Sequence, residues 1–360
     1  MSIKYLSPLG RPATQSLVDQ VYRQIAQEFG LIADPFRLHA PVPELLAGIW
    51  SVTREIGVAR HVPWPMKEAV AAAVSQSNAC PYCVEIHAAV ASVRTEQPLA
   101  PLLTQGRTAD ITDPSLRAVV TWALATRSPG SAPLLHPPFT EEQAPEIIGV
   151  AMVYHYLNRL VQVFLPDSLL PSVVRGGWSG SVAWRLVGRK LAGSRERERV
   201  AGASLPLVPA ADLPSACAWA APEPSISRAL AGWAAVVEHA GMELLAQKVR
   251  TLVSDFLQGW QGEQMPLSRA WVNQVVAPLP EADQAAGRLA LLAAVAPHQI
   301  DAAIIRAFRV QQEADTPLVG VVAWASFQAA RRIVSWLRVP TQREVSSQLG
   351  HTLDQSDDAC

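Results

Sequence analysis

Apolar side chains recur three and four residues apart through almost the whole chain, and prolines interrupt the pattern at intervals. Leu17, Val21, Ile25 and Phe29 form one such stripe. Leu45–Ile56, Met66–Val74, Leu116–Ala125 and Ile147–Phe164 form others. Residues three and four apart share one face of a helix, whereas a strand would alternate in and out. Alternating stretches bounded by turns are nearly absent. Many of the 29 prolines fall between the apolar segments, as in Pro41-Val42-Pro43 and His136-Pro137-Pro138, where they punctuate helices. An all-α fold follows. With 360 residues, 49% hydrophobic and 17% charged, the chain can bury a sizeable core and has the length of two domains.

The charge pattern excludes several partner classes. Net charge is −1 with no cluster of Lys or Arg, so nucleic acid is not expected. The run Arg195-Glu196-Arg197-Glu198-Arg199 alternates in sign and reads as a solvated helix face. No uninterrupted apolar run reaches the length of a membrane span, and Met1–Tyr5 lacks the regions of a signal peptide. A cytoplasmic protein with no membrane partner is the expectation. The four cysteines do not make a disulfide scaffold; Cys217 and Cys360 read as unpaired.

The second half echoes the first. Ala40-Pro41-Val42-Pro43 returns as Ala221-Pro222-Glu223-Pro224, and Leu46-Ala47-Gly48 as Leu230-Ala231-Gly232. Gly149-Val150-Ala151 resembles Gly320-Val321-Val322. The preserved order argues for a tandem duplication. It divides the chain into 1–165, a linker with a helix over 166–220, a second copy over 221–340 and a polar tail over 341–360. At the positions matching Glu68, Cys80, Cys83 and His87 the second copy has Val249, Gln261, Gln264 and Ser268, so it has lost any redox chemistry.

The chemistry concentrates in Cys80-Pro81-Tyr82-Cys83 with His87 downstream and Glu68 upstream, the pattern E-x11-C-x2-C-x3-H. On a helix, Cys80, Cys83 and His87 share one face. That supplies an attacking sulfur, a resolving sulfur and a base. Ser77 or Asn78 can cap such a helix and Pro81 suits its first turn. Cysteines at a helix N-terminus are expected to have a lowered pKa, in the range of roughly 3.5–7.5. Glu68, on the preceding helix, can orient His87. Two readings stay open beside this one: buried core cysteines with a satisfied histidine, or a zinc site built from the same four residues.

The pattern at Glu68, Cys80, Cys83 and His87 resembles the alkylhydroperoxidase D-like (AhpD-like) branch of the carboxymuconolactone decarboxylase family, over roughly residues 14–165. Where some members carry a His directly before the second cysteine, this chain has Tyr82. The resemblance implies an AhpD-like helical bundle and a thiol peroxidase acting on hydrogen peroxide or organic hydroperoxides. By the same resemblance Cys83 is the peroxidatic thiol and Cys80 resolves it, and residues of the late helix help wall the site. Tyr82, between the cysteines, and His155 and Tyr156, in that late helix, are pocket candidates. A thiol reductant such as a lipoylated protein and a homo-oligomer are also implied. No Gly-rich phosphate loop, Ser-His-Asp pattern or flavin fingerprint stands out, so no cofactor is expected. The alternatives are a general thiol–disulfide oxidoreductase and a non-enzymatic module that senses redox state or holds zinc.

Overall fold

Capping residues set the first helix. The Ser16 side chain accepts from the backbone N–H of Asp19, and Gly30 ends the helix in the left-handed region at φ 75°. In the computed structural model, which describes residues 3–8, 10, 12–94, 97–168, 186, 188–193 and 199–340, every regular element is helical. The first set is α1 (Leu17–Phe29), α2 (Asp34–Arg37), α3 (Pro43–Val58), α4 (Trp64–Ser77), α5 (Pro81–Ala91), α6 (Leu99–Thr104), α7 (Pro114–Ala125), α8 (Ala132–Leu135) and α9 (Ala144–Phe164). The second set is α10 (Pro224–Leu244), α11 (Gln247–Gly259), α12 (Ala270–Val276), α13 (Glu281–Val295), α14 (Ala302–Arg309) and α15 (Asp315–Val334).

The prolines act as helix starters. α2, α3, α4, α5, α7, α8, α9 and α10 each carry Pro in the first two positions. There the missing N–H has no partner to lose and the fixed φ suits the helix.

α4 packs against α5, α7 and α9, and α13 against α15 and α11. The two sets meet through α3 against α10 and α9 against α15. The helices bearing the echoed Leu-Ala-Gly and Gly-Val segments are thus the ones that face each other. A Cβ at Gly48 would lie 2.7 Å from Trp233 Cδ1 and 3.3 Å from Trp233 Cα. Only a glycine lets α3 come this close to α10. Trp233 is fully buried and sits edge-on against Tyr156 and Phe327, with ring centroids 4.9 Å away in each case.

α9 is long and apolar enough to cross a membrane by length and composition, yet 89% of that stretch is buried inside the protein. It is the central helix of the core, and its buried Glu146, His155, Asn158 and Arg159 all have polar partners.

Several expectations need adjustment. Arg199, read as part of a solvated charge run, pairs with Glu28 at 3.5 Å and lies 5.5 Å from the Phe29 ring centre. A carboxylate and an aromatic face draw it inward. Within the 166–220 linker expected to carry a helix, residue 186 and residues 188–192 are helical. The Gly176–Gly180 segment, the 341–360 tail and Cys360 lie outside the described residues. Val249 is buried in α11, whereas Gln261, Gln264 and Ser268 fall between α11 and α12.

Candidate functional site

α4 and α5 are joined by a tight turn that positions both cysteines. Asn78 ends α4, and Ala79 takes a left-handed conformation at φ 52°. The Cys80 N–H then donates to the Ser75 carbonyl at 2.9 Å. Cys80 itself occupies the N-cap of α5, with Pro81 first in the helix. This corrects the assignment of Ser77 or Asn78 as the cap: the reversal at Ala79 delays the helix start to Cys80. One turn on, Cys83 and His87 lie on the same face.

Glu68 of α4 meets His87 of α5, with Oε2 and Nδ1 2.6 Å apart. An ionised carboxylate only accepts, so Nδ1 carries the proton, and in the neutral ring Nε2 is the acceptor. Tyr154 of α9 completes the cluster. Its hydroxyl is 3.5 Å from His87 Nδ1, and the two rings meet edge-on with centroids 4.5 Å apart.

These groups open into a cavity of about 390 Å³. Cys83, Tyr82, His87, Glu68 and Tyr154 line it together with Asp34, Thr53 and Lys190, and apolar side chains such as Phe29, Leu31, Phe36 and Leu157 form most of the remainder. Cys80 lies outside the lining, at 1% exposure, and Cys83 faces the cavity at 3%. Both are free thiols.

The Cys83 thiol is held well above its usual range, contrary to the expectation from its place near a helix N-terminus. The hydrogen bond with Cys80 is the largest cause, followed by burial and the charge of Cys80. The Asn158 and Ser75 side chains beside the sulfur act in the opposite direction. Removal from water penalises a thiolate more than one turn of helix dipole favours it. Burial, with Asp34 adding to it, also raises the Tyr82 pKa, so Tyr82 stays a neutral hydroxyl.

Of the pocket candidates, Tyr82 reaches the cavity and the other two do not. His155 and Tyr156 are fully buried on other faces of α9. His155 lies between Asn78 and Thr126, with Nδ1–Nδ2 and Nε2–Oγ1 separations of 3.0 and 2.9 Å. The Tyr156 hydroxyl bonds His39 Nε2 at 2.8 Å. Tyr154 takes the place expected of them. Its signal was helical phase: Val150, Val153, Tyr154 and Leu157 share a face, and each residue turns the helix by about 100°. Glu85 is half-buried and accepts from Ser168 at 2.5 Å. His61 is structural: its backbone N–H and Nδ1 both engage Glu146, which also pairs with Lys67 at 2.5 Å.

Among the described residues, no three His, Cys, Asp or Glu side chains converge on a point that could hold a metal ion. Glu68 is turned onto His87 Nδ1 instead of facing the sulfurs.

Comparison with known proteins finds a relative along nearly the whole chain. The chain is 33% identical over 347 residues to the alkyl hydroperoxide reductase Rv2159c of Mycobacterium tuberculosis, covering 96% of this chain and 98% of the relative. No protein-family model matches the chain, and no solved structure does. Similarity at this level along both sets of helices shows that the chain belongs to the family of that mycobacterial alkyl hydroperoxide reductase.

Proposed function

We propose that this protein is an AhpD-like thiol peroxidase that reduces organic hydroperoxides or hydrogen peroxide through a Cys80–Cys83 redox disulfide. One observation carries the reading: Cys83 shares a largely apolar cavity with a Glu68–His87 pair, while Cys80 hydrogen bonds to Cys83 from outside that cavity. The name of the relative supports peroxide as the substrate class.

The geometry supports the following roles. His87, its Nδ1 proton held by Glu68, accepts the Cys83 proton at Nε2, through a water in the cavity. The thiolate attacks the terminal oxygen of the hydroperoxide. The S–O bond forms, the O–O bond breaks, and the alkoxide leaves as alcohol with the proton returned from His87. Cys83 is now a sulfenic acid. Cys80 attacks it, a disulfide forms and water leaves. An external dithiol restores the pair and is itself oxidised to a disulfide. The depth of both sulfurs favours a slender dithiol arm, such as that of a lipoylated protein, over a folded protein disulfide.

Peptide mass mapping before and after one equivalent of cumene hydroperoxide tests the reading. The expected result is a stoichiometric Cys80–Cys83 disulfide, arrest at the Cys83 sulfenic acid in Cys80→Ser, and no reaction in Cys83→Ser. Glu68→Gln should slow the oxidation by about 10²–10⁴-fold if the pair acts as a general acid–base unit. Two unmodified thiols in the parent protein would refute it.

A further inference from the structure

Beside Cys83, and outside the cavity lining, lies a buried polar chain that the mechanism above does not use. Ser75, Asn78, Thr126, His155 and Asn158 are each no more than 7% exposed, in a region otherwise packed with apolar side chains. Their hydrogen bonds form a directional series. The Thr126 hydroxyl donates its one proton to the Ala123 carbonyl at 2.7 Å. Its oxygen therefore accepts from His155 Nε2 at 2.9 Å. His155 Nδ1 is then a bare acceptor and takes a proton from Asn78 Nδ2 at 3.0 Å. The second proton of Asn78 Nδ2 goes to Asn158 Oδ1 at 2.9 Å.

This fixes the orientation of the Asn158 amide. With Oδ1 engaged by Asn78, its Nδ2 faces Ser75 and Cys83. One proton goes to Ser75 Oγ at 3.0 Å, while the Ser75 proton is directed to the Ala71 carbonyl at 2.7 Å. The other is left for the Cys83 sulfur, to which Asn158 hydrogen bonds. Backbone contacts hold the series in place. Gln162 donates to the Asn78 carbonyl at 3.0 Å, and Arg159 donates to the carbonyl of His155. Burial keeps His155 neutral, well below its ordinary pKa, as the donor–acceptor role requires.

We propose that Asn158 holds the Cys83 thiolate, its amide turned donor-side toward the sulfur by the buried relay through Asn78, His155 and Thr126. The inference rests on the reading of Cys83 as the attacking thiol. A charge-assisted hydrogen bond from a fixed amide favours the thiolate, against the Cys80 hydrogen bond and the burial that favour the thiol. In a site where burial and Cys80 both oppose ionisation, this donor makes the thiolate accessible. Asn158 touches the reacting sulfur; Asn78, His155 and Thr126 are positioning residues.

The ionisable groups around the sulfur are Cys80, Tyr82 and His87 on α5, Glu68 on α4, Tyr154 on α9, and Asp34 and Lys190 at the cavity wall. All of them are retained in Asn158→Leu, which keeps the approximate size and removes the donor without adding a charge. The test is the pH dependence of Cys83 alkylation by iodoacetamide, read by peptide mass in the full-length protein. Losing one hydrogen bond to a charged group should raise the midpoint by about one to two pH units and slow alkylation at pH 7 by about 10–100-fold. A folded Asn158→Leu with the parent's midpoint overturns the proposal. Thr126→Val, which breaks the far end of the relay, provides the same test if Asn158→Leu does not fold. Its midpoint should rise by a smaller amount, and an unchanged midpoint overturns the relay. Iodoacetamide reports on the sulfur whether or not the protein reduces peroxide. A parent that ignores peroxide but shows an Asn158-dependent midpoint would therefore refute the proposed function and leave this inference standing.

Discussion

His39 is fully buried against Tyr156, and burial lowers its pKa from 6.5 to about 4. Its Nδ1 donates to the Pro35 carbonyl at 2.8 Å, and Nε2 accepts from the tyrosine hydroxyl. Between these two pH values the unfolded chain binds a proton that the folded chain refuses, so stability falls as the pH drops from 6.5 toward 4. The full loss should be about 3 kcal/mol from His39 alone. His155, shifted in the same direction, adds to it. Denaturant midpoints across this range should fall steeply in the parent and less in His39→Gln; parallel profiles would contradict the assignment. At this scale the sequence was most legible where spacing alone brings side chains together. Glu68, Cys80, Cys83 and His87 meet because two helices and a tight turn leave little choice. Asn78 and Asn158 were not legible as a pair. They are eighty residues apart, and an asparagine at a helix end or in a helix carries no sign that its amide serves a sulfur.

The element that fixes the site is α4, and a buried ion pair sets its first turn. Lys67 pairs with Glu146 of α9 at 2.5 Å and donates to the carbonyls of Ile56 and Ala59 at 2.8 and 2.6 Å. Glu146 also accepts from the backbone of His61 and Val62. α3, α4 and α9 are thereby tied together one residue away from Glu68. Lys67→Met leaves a fully buried carboxylate without its cation and should destabilise the fold by about 3–5 kcal/mol. A melting temperature equal to that of the parent would show that the pair does not hold these helices. Helix positions were readable from apolar periodicity and proline placement. The start of α5 was not, because it depends on a left-handed Ala79 that no glycine or asparagine announces. The cavity was equally hidden: Phe29, Leu31 and Phe36 carry no motif and reach the site only through tertiary packing.

At the scale of the whole molecule, the all-α class was evident from the sequence, but the way the two sets of helices meet was not. Periodicity identifies an apolar face without identifying what covers it. The faces are covered mutually, by α3 on α10 and α9 on α15, with Gly48 set against Trp233 and α9 carrying both the site and the junction. A chain ending after residue 220 would expose these surfaces and should aggregate or unfold; a soluble, fully reactive fragment would contradict this account. The same junction has a consequence for behaviour on dilution. Two separate subunits hold such a surface only as long as their concentration exceeds a dissociation constant. Here both sides belong to one polypeptide, so each sees the other at an effective concentration set by the connecting chain. The contact between α9 and α15 that backs the cysteine site should survive at any protein concentration, and Cys83 reactivity per molecule should be the same in a dilute assay as in a concentrated stock.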